Sequence, residues 1–445
     1  MNPPPTTQKT APQSHSAPLF PRNQLLPFVL VTALFFLWGI PNNLNDVLIR
    51  QFIKSFEMTR LGAGLIQFAF YLGYFFLSMP AALIMQRYGY KTGLVTGLLL
   101  YSLGTILFWP AAIVQSYAFF LFALFVIASG LAFLESGSSP FIAELGDPHS
   151  SERRLNFSQS FNTLGSITGA LAGTMFIFSG VELTQQQVAA MKAAGTYKGY
   201  LQQETMRVVV PYLVLACVVL FWATLIIRTK FPKLGSEGDA AGPGRRGDLG
   251  ALLRSPHFVL AVLAQFFYVG AQVGTWSYFI QYAQDYAHVT EKIAGYLLSG
   301  NLVAFAVGRF TSTYIMRFFS PHKLMGVYAC CNVALLVLAV FFPSWLGVWA
   351  VLLTSFFMSL MFPTIFALGI KGLGPNTKLG GSLIVMAIVG GALFPLLMGF
   401  IATSSNMAQA MLVPLACYVF IAYYSFAGSQ RVGSHESPEF LLQQG

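Results

Sequence analysis

Between Lys230 and Gly250 the chain reads KFPKLGSEGDAAGPGRRGDLG, a polar, glycine-rich connection in a sequence that is otherwise 56% hydrophobic and only 9% charged. Clustered Gly, Pro, Ser and Asp mark a loop. Outward from it in both directions, apolar runs of about 20 residues recur, each long enough to cross ~30 Å of hydrocarbon as a helix. Six precede it, near residues 25 to 50, 61 to 86, 92 to 114, 117 to 143, 156 to 180 and 207 to 228. Six follow, near 257 to 284, 293 to 317, 323 to 343, 345 to 370, 379 to 402 and 408 to 427. The predicted fold is an all-α membrane protein of twelve transmembrane helices in two six-helix bundles, residues 25 to 229 and 257 to 428, joined by a linker over 230 to 256. The first 24 residues lack the apolar core of a cleavable signal and read as a disordered tail; 429 to 445 form a second tail.

The net charge of +10 suggests an acidic partner or nucleic acid until its distribution is followed. With the N-terminus inside, inner loops and tails carry 17 of the 25 Lys and Arg, outer loops carry 7, and Arg309 lies within a span. That is a positive-inside bias, which places both termini in the cytoplasm and the chain in a bacterial-type plasma membrane, with lipid and not nucleic acid as its surroundings. Cys217, Cys330, Cys331 and Cys417 all fall in spans without the spacing of a metal or redox motif. No P-loop, catalytic triad or metal cluster is present, so neither an enzyme nor an ATP-driven pump is expected, and no cofactor.

Transporters of six-plus-six organisation are often internal repeats. NDVLIRQF from Asn45 aligns with WSYFIQYA from Trp276, and Ala63-Gly64 with Ala294-Gly295 at the same offset of 231. Arg87 in MQRYGYK falls one residue from Arg317 in MRFFSPHK, and Pro140 in ESGSSPF matches Pro363 in MSLMFPT. On this register Asp46 corresponds to Ser277 and Glu135 to Met358, so the first half alone holds intramembrane acids.

Of 15 acidic residues, Asp46 and Glu135 are the two deep in spans. A charged side chain at mid-bilayer costs ~2.5 to 3.5 kcal/mol on insertion scales, and such residues mark ion or proton pathways. Burial disfavours the charged form of a carboxyl, so such a group takes up and releases a proton as its surroundings dry and wet. Around these acids lie polar stripes. Trp38, Asn42 and Asp46 follow one face of the first helix, with Asn43 and Asn45 beside it. Asn156, Gln159 and Asn162 recur every third residue in the fifth span; Gln265, Tyr268, Gln272 and Trp276 make a straight stripe in the seventh. Amides donate and accept, which suits a polyhydroxyl ligand, while Trp38 and Trp276 offer faces for a sugar ring. Pro41 lacks an N–H, so the first helix is expected to kink or open there. Arg87 and Lys91, with Gly89, read as an inner-gate loop in which Gln86 replaces the usual Asp, and Arg309 as a gate or a fold support.

FFLWGIPNNLND, GLIQFAFYLGYF, YSLGTILFWPAA, RLNFSQSFNTLGS, AQFFYVGAQVGTWSY, FPTIFALGIKGLG and GSLIVMAIVGGAL resemble the fucose:proton symporter family of the major facilitator superfamily, over about residues 25 to 428. The resemblance implies two six-helix bundles that carry sugar and proton together by alternating access. It implies coupling at Asp46 and Glu135, a sugar contact at Asn162, and cavity positions at Trp38, Asn42, Asn43, Gln159, Gln272 and Trp276. The family's ETAANPF is ESGSSPF here, and Pro41 is unusual; both bear on which sugar is carried. The expected function is proton-driven import of L-fucose or a related hexose by a monomer. The alternatives are sodium coupling, another sugar such as glucose, galactose or an amino sugar, a drug/proton antiporter, and a sugar sensor that transports nothing.

Overall fold

The structure, a computed structural model, describes residues 24–56, 60–177, 183–232, 234 and 248–429, apart from some side chains within them. Among the described residues it is helical throughout. The first half is built from α1 (Leu25–Ser55), α2 (Arg60–Tyr88), α3 (Tyr90–Val114), α4 (Tyr117–Glu144), α5 (Ser151–Phe176), the short α6 (Gln185–Ala193) and α7 (Tyr197–Met206), and α8 (Val209–Arg228). The second half holds α9 (Leu249–Arg254), α10 (Pro256–Ala287), α11 (Glu291–Ile315), α12 (Pro321–Phe341), α13 (Trp345–Met358), α14 (Met361–Ile370), α15 (Thr377–Met386), α16 (Gly390–Ser404), α17 (Met407–Ala410) and α18 (Leu412–Tyr423).

Eleven helical stretches are long and apolar enough to cross a membrane among the described residues. The twelfth expected span is α5, 26 residues long but loaded with Asn156, Gln159, Asn162 and several serines. Its polar residues lie in the largely buried first half, whereas Leu171, Met175 and Phe176 near its far end are exposed. Lipid-facing surfaces on the other helices carry exposed Phe76, Trp109, Phe341 and Phe400.

The expected repeat appears in the pairing of helices. In the first half α1 packs on α5, α2 and α3 on α4, and α3 on α8; in the second, α10 packs on α16, α11 and α12 on α13, and α12 on α18. Equivalent close approaches recur: a Cβ at Gly165 would collide with the Phe36 carbonyl, and one at Gly390 with the Phe266 carbonyl. Backbones that near each other are what small residues permit between helices in lipid.

Two expectations need correction. The first helix does not open at Pro41: α1 is continuous over 31 residues. The carbonyl that Pro41 leaves without an N–H partner is that of Leu37, and it accepts a hydrogen bond from the Tyr101 hydroxyl at 3.1 Å. A neighbouring side chain thus replaces the lost helix bond. The span over 345 to 370 is instead broken, into α13 and α14 at Ser359 and Leu360.

Each half has its own apolar core, but that of the first half takes in Phe258, Phe366, Leu379 and Ile384 of the second. These lie towards the end of the molecule that carries the connection after Arg228, called the linker end below. There α2 and α4 meet α15, and α5 meets α11 and α14.

Candidate functional site

Glu135 lies midway along α4 and is 6% exposed. The Tyr74 phenol of α2 neighbours its carboxyl, and the Arg309 guanidinium of α11 contributes an attractive field. A carboxyl, a phenol and a guanidinium from three helices therefore share one buried place.

Arg309 is held from both halves. Its Nε donates to the Ser359 carbonyl at 2.9 Å, in the second half. Its Nη1 donates to the Gln159 carbonyl at 2.5 Å and, at 3.4 Å, to the Gln159 Oε1, both on α5 of the first half. The Phe305 ring, one turn back on α11, sits 4.6 Å beneath the guanidinium. Ser359 is four residues before Pro363, so its carbonyl also lacks a helix partner, and the arginine fills that vacancy. Arg309 thus does what a gate and a support each require: it bridges the halves beside Glu135.

From Phe305 the chain of contacts runs on to Trp276, whose ring meets it edge-on at 5.2 Å. The Trp276 indole N–H donates to the Ser355 hydroxyl at 3.1 Å, and the residue remains half-buried with Gln272 one turn away. An indole fixed at its N–H with part of its surface open is suited to stack on a sugar ring. Gln265, lower on the same stripe, is fully buried with neither amide atom bonded, as is the Gln159 Nε2. Unsatisfied buried amides are costly, and a polar ligand or water satisfies them.

The other expected residues fall in different places. Trp38 is 1% exposed and packs against Phe35 at 4.3 Å, inside the first core. Asn162 donates to the Phe35 carbonyl at 3.3 Å, so in this conformation its amide holds α5 to α1. Asn42 is half-buried on α1. The side chains of Asn43 and Asp46 lie outside the described residues, although both positions belong to α1. Arg87 is exposed and lies over its neighbour Tyr88. Lys91 donates to the carbonyls of Ile227 and Thr229 at 2.7 and 2.9 Å, fastening α3 to the end of α8 within one half.

The contacts that join the halves at the linker end come from residues the sequence reading did not single out for that role. Lys371 pairs with Glu152 at 3.1 Å. Asn156 donates to the Thr364 hydroxyl at 3.0 Å, and the Lys378 ammonium lies 4.8 Å from the Tyr90 ring centre. The signal was present, since Thr364 and Lys371 both lie in FPTIFALGIKGLG. What their side chains reach is a matter of tertiary packing.

Residues 27–380 match the family model of the major facilitator superfamily. The L-fucose-proton symporter of Escherichia coli K12 is 42% identical over 413 residues, 92% of this chain and 94% of that protein. A glucose/galactose transporter of Brucella abortus is 34% identical over 402 residues, 90% of this chain and 93% of that protein. Crystal structures of the E. coli fucose:proton symporter FucP, one of them in the outward conformation, superpose with a TM-score of 0.83 at 42% identity, covering 91% of this chain and 99% of theirs. With similarity of that extent in sequence and fold, the chain belongs to the major facilitator superfamily, among the relatives of the L-fucose-proton symporters.

Proposed function

We propose that this protein imports a sugar, L-fucose or a related hexose, together with a proton, by alternating access between its two halves. The observation that carries the reading is Glu135, a buried carboxyl beside Tyr74 and in the field of Arg309, the residue that clasps the two halves. A proton on Glu135 cancels its attraction for Arg309, so loading the proton alters the balance of forces in the clasp. Asp46 on α1 is the second coupling acid. Trp276, Gln272 and Gln159 line the path for the sugar, with Asn42, Asn43 and Asn162 on the side of α1 and α5 and Trp38 backing them from the core. Arg309, Lys371 and Glu152 form the inner gate, with Arg87 and Lys91 flanking it.

The linker end is cytoplasmic on this reading, supported by the number of basic residues that the sequence carries between Arg228 and Arg254. Both termini then lie in the cytoplasm, the membrane is a bacterial inner membrane, and each monomer is a complete transporter of two bundles, 25 to 229 and 257 to 428. The charge brought in by one proton across 100 mV is worth ~2.3 kcal/mol. That sustains a sugar gradient of roughly fiftyfold.

The choice among sugars has its own observation. The departure ESGSSPF places Ser136, Ser138 and Ser139 next to Glu135, all buried and without hydrogen-bond partners. The relatives include a glucose/galactose transporter as well as fucose symporters, so these three hydroxyls are the first place to look for the specificity of this chain.

The test is uptake of labelled L-fucose into proteoliposomes under an imposed pH gradient, with glucose, galactose and an amino sugar as competitors. Accumulation that alkalinises the medium and is lost in Glu135→Gln and Asp46→Asn is the expected result. Accumulation that persists in both variants, or that follows sodium at constant pH, overturns the coupling.

A further inference from the structure

We propose that the linker end carries a binding site for a phosphate monoester, formed by Arg153 of the first half and Arg317 of the second. α5 and α11 run antiparallel and touch where Gln159 meets Arg309. Six residues back along α5 and eight forward past the end of α11 are about 9 and 12 Å respectively at 1.5 Å per residue, which brings Arg153 and Arg317 to one level. The two guanidinium groups are close enough to repel each other. The Arg153 Nε is buried without a hydrogen-bond partner.

More basic residues follow Arg317 at the start of α12. His322, in the first turn of α12, has Lys323, Lys371 and Glu152 as charged neighbours. Glu152 is the one carboxylate among them, and it is engaged by Lys371. That leaves Arg153 and Arg317 as a like-charged pair, one from each half. Arg317 stays exposed, its guanidinium 5.8 Å from the centre of the Tyr314 ring, so a ligand can reach it.

A phosphate monoester carries close to two charges and several acceptor oxygens, and guanidinium forks bind such groups through paired hydrogen bonds. Seated between Arg153 and Arg317, it turns a repulsion between the halves into a bridge. A ligand that binds one conformation better shifts the population towards it. Here the favoured state is the one with the linker end closed. This consequence rests on the transport reading, in which a phosphorylated compound in the cytoplasm restrains further import; the binding itself does not.

The experiment measures thermal stabilisation of the purified full chain in detergent by glucose 6-phosphate, with glucose as the uncharged control. Vesicles with and without phosphatidic acid form a second arm, since a lipid headgroup presents the same chemistry. Saturable stabilisation by either phosphate source is expected, with affinity lowered roughly ten- to a hundredfold in Arg153→Gln and Arg317→Gln. Arg254→Gln should leave it unchanged, and Arg317→Lys should recover part of it. Stabilisation by the soluble ester or by the lipid tells which one fills the site. No stabilisation of the wild type by either, or an equal response in both glutamine variants, overturns the proposal. Loss of fucose uptake in a separate assay bears on the transport reading and leaves this measurement untouched.

Discussion

Pro41 in α1 and Pro363 in α14 remove the same backbone hydrogen bond, yet the two places have become different devices. The Leu37 carbonyl freed by Pro41 is answered by Tyr101, a residue of the same half, fully buried among its own core. The helix runs on unbroken. The Ser359 carbonyl freed by Pro363 is answered by Arg309, whose other end reaches into the opposite half. There the helix is broken. A neutral phenol within one bundle repairs a helix; a buried cation between bundles ties the repair to the relative position of the halves. The comparison suggests that transport depends on the second vacancy and stability on the first.

Substituting Arg309 tests this most severely. Arg309→Gln removes the charge-assisted hydrogen bonds to Ser359 and Gln159, of a kind worth ~1.5 to 3 kcal/mol each, and with them one clasp between the halves. Uptake should fall by about a hundredfold or more, and cysteines placed at the linker end should react faster with a thiol reagent. Uptake near the wild-type rate would refute a role for the clasp.

Glu135→Gln separates coupling from binding. The amide keeps the shape and the approach of Tyr74 but cannot lose a proton, so accumulation against a gradient should vanish while sugar binding, read by tryptophan fluorescence or calorimetry, persists. Loss of binding as well would make Glu135 a sugar ligand instead of the proton carrier.

The pair Lys371 and Glu152 should give a smaller effect. Lys371 is about half exposed, whereas Glu152 is almost fully buried. Lys371→Ala leaves that carboxylate without its cation, and should shift the closed-to-open balance several-fold; Lys371→Ala with Glu152→Gln should restore most of it, since both partners are then neutral. A double variant worse than the single one would show that each residue acts alone.

Tyr101→Phe should do the least to transport. It deletes one hydrogen bond of about 1 kcal/mol and leaves the Leu37 carbonyl unpaired. A modest drop in thermal stability with uptake preserved is expected. A collapse of uptake would erase the distinction between the two proline sites.

Much of the fold was legible because the bilayer simplifies the problem: helices must satisfy their own backbone and be long enough to cross, so hydropathy finds them. α5 is less apolar than the other spans because Asn156, Gln159 and Asn162 lie in its first half, much of which is buried against other helices. The site was legible in part. Glu135 and Arg309 stood out as ionisable groups at membrane depth, where each demands a partner. Lys371, Glu152 and Thr364 did not, because charged or hydroxyl residues near a helix end have water as an adequate neighbour and nothing in the sequence distinguishes a gate from a solvated face. Trp38 looked like Trp276 in sequence. Packing separates them, with one ring sealed beside Phe35 and the other half open beside Phe305.

Sequence alone determined that membrane-length apolar helices lie on either side of the polar stretch Lys230 to Gly250, and that Glu135 is an acid inside one of them. These follow from transfer energies and helix length, which are local properties. Tertiary structure alone decided which donor fills each carbonyl left vacant by a proline, and that the donor at Ser359 comes from a residue also bound to the other half. A proline announces a missing hydrogen bond from its own position, but the group that replaces it is chosen by what folding brings within about 3 Å.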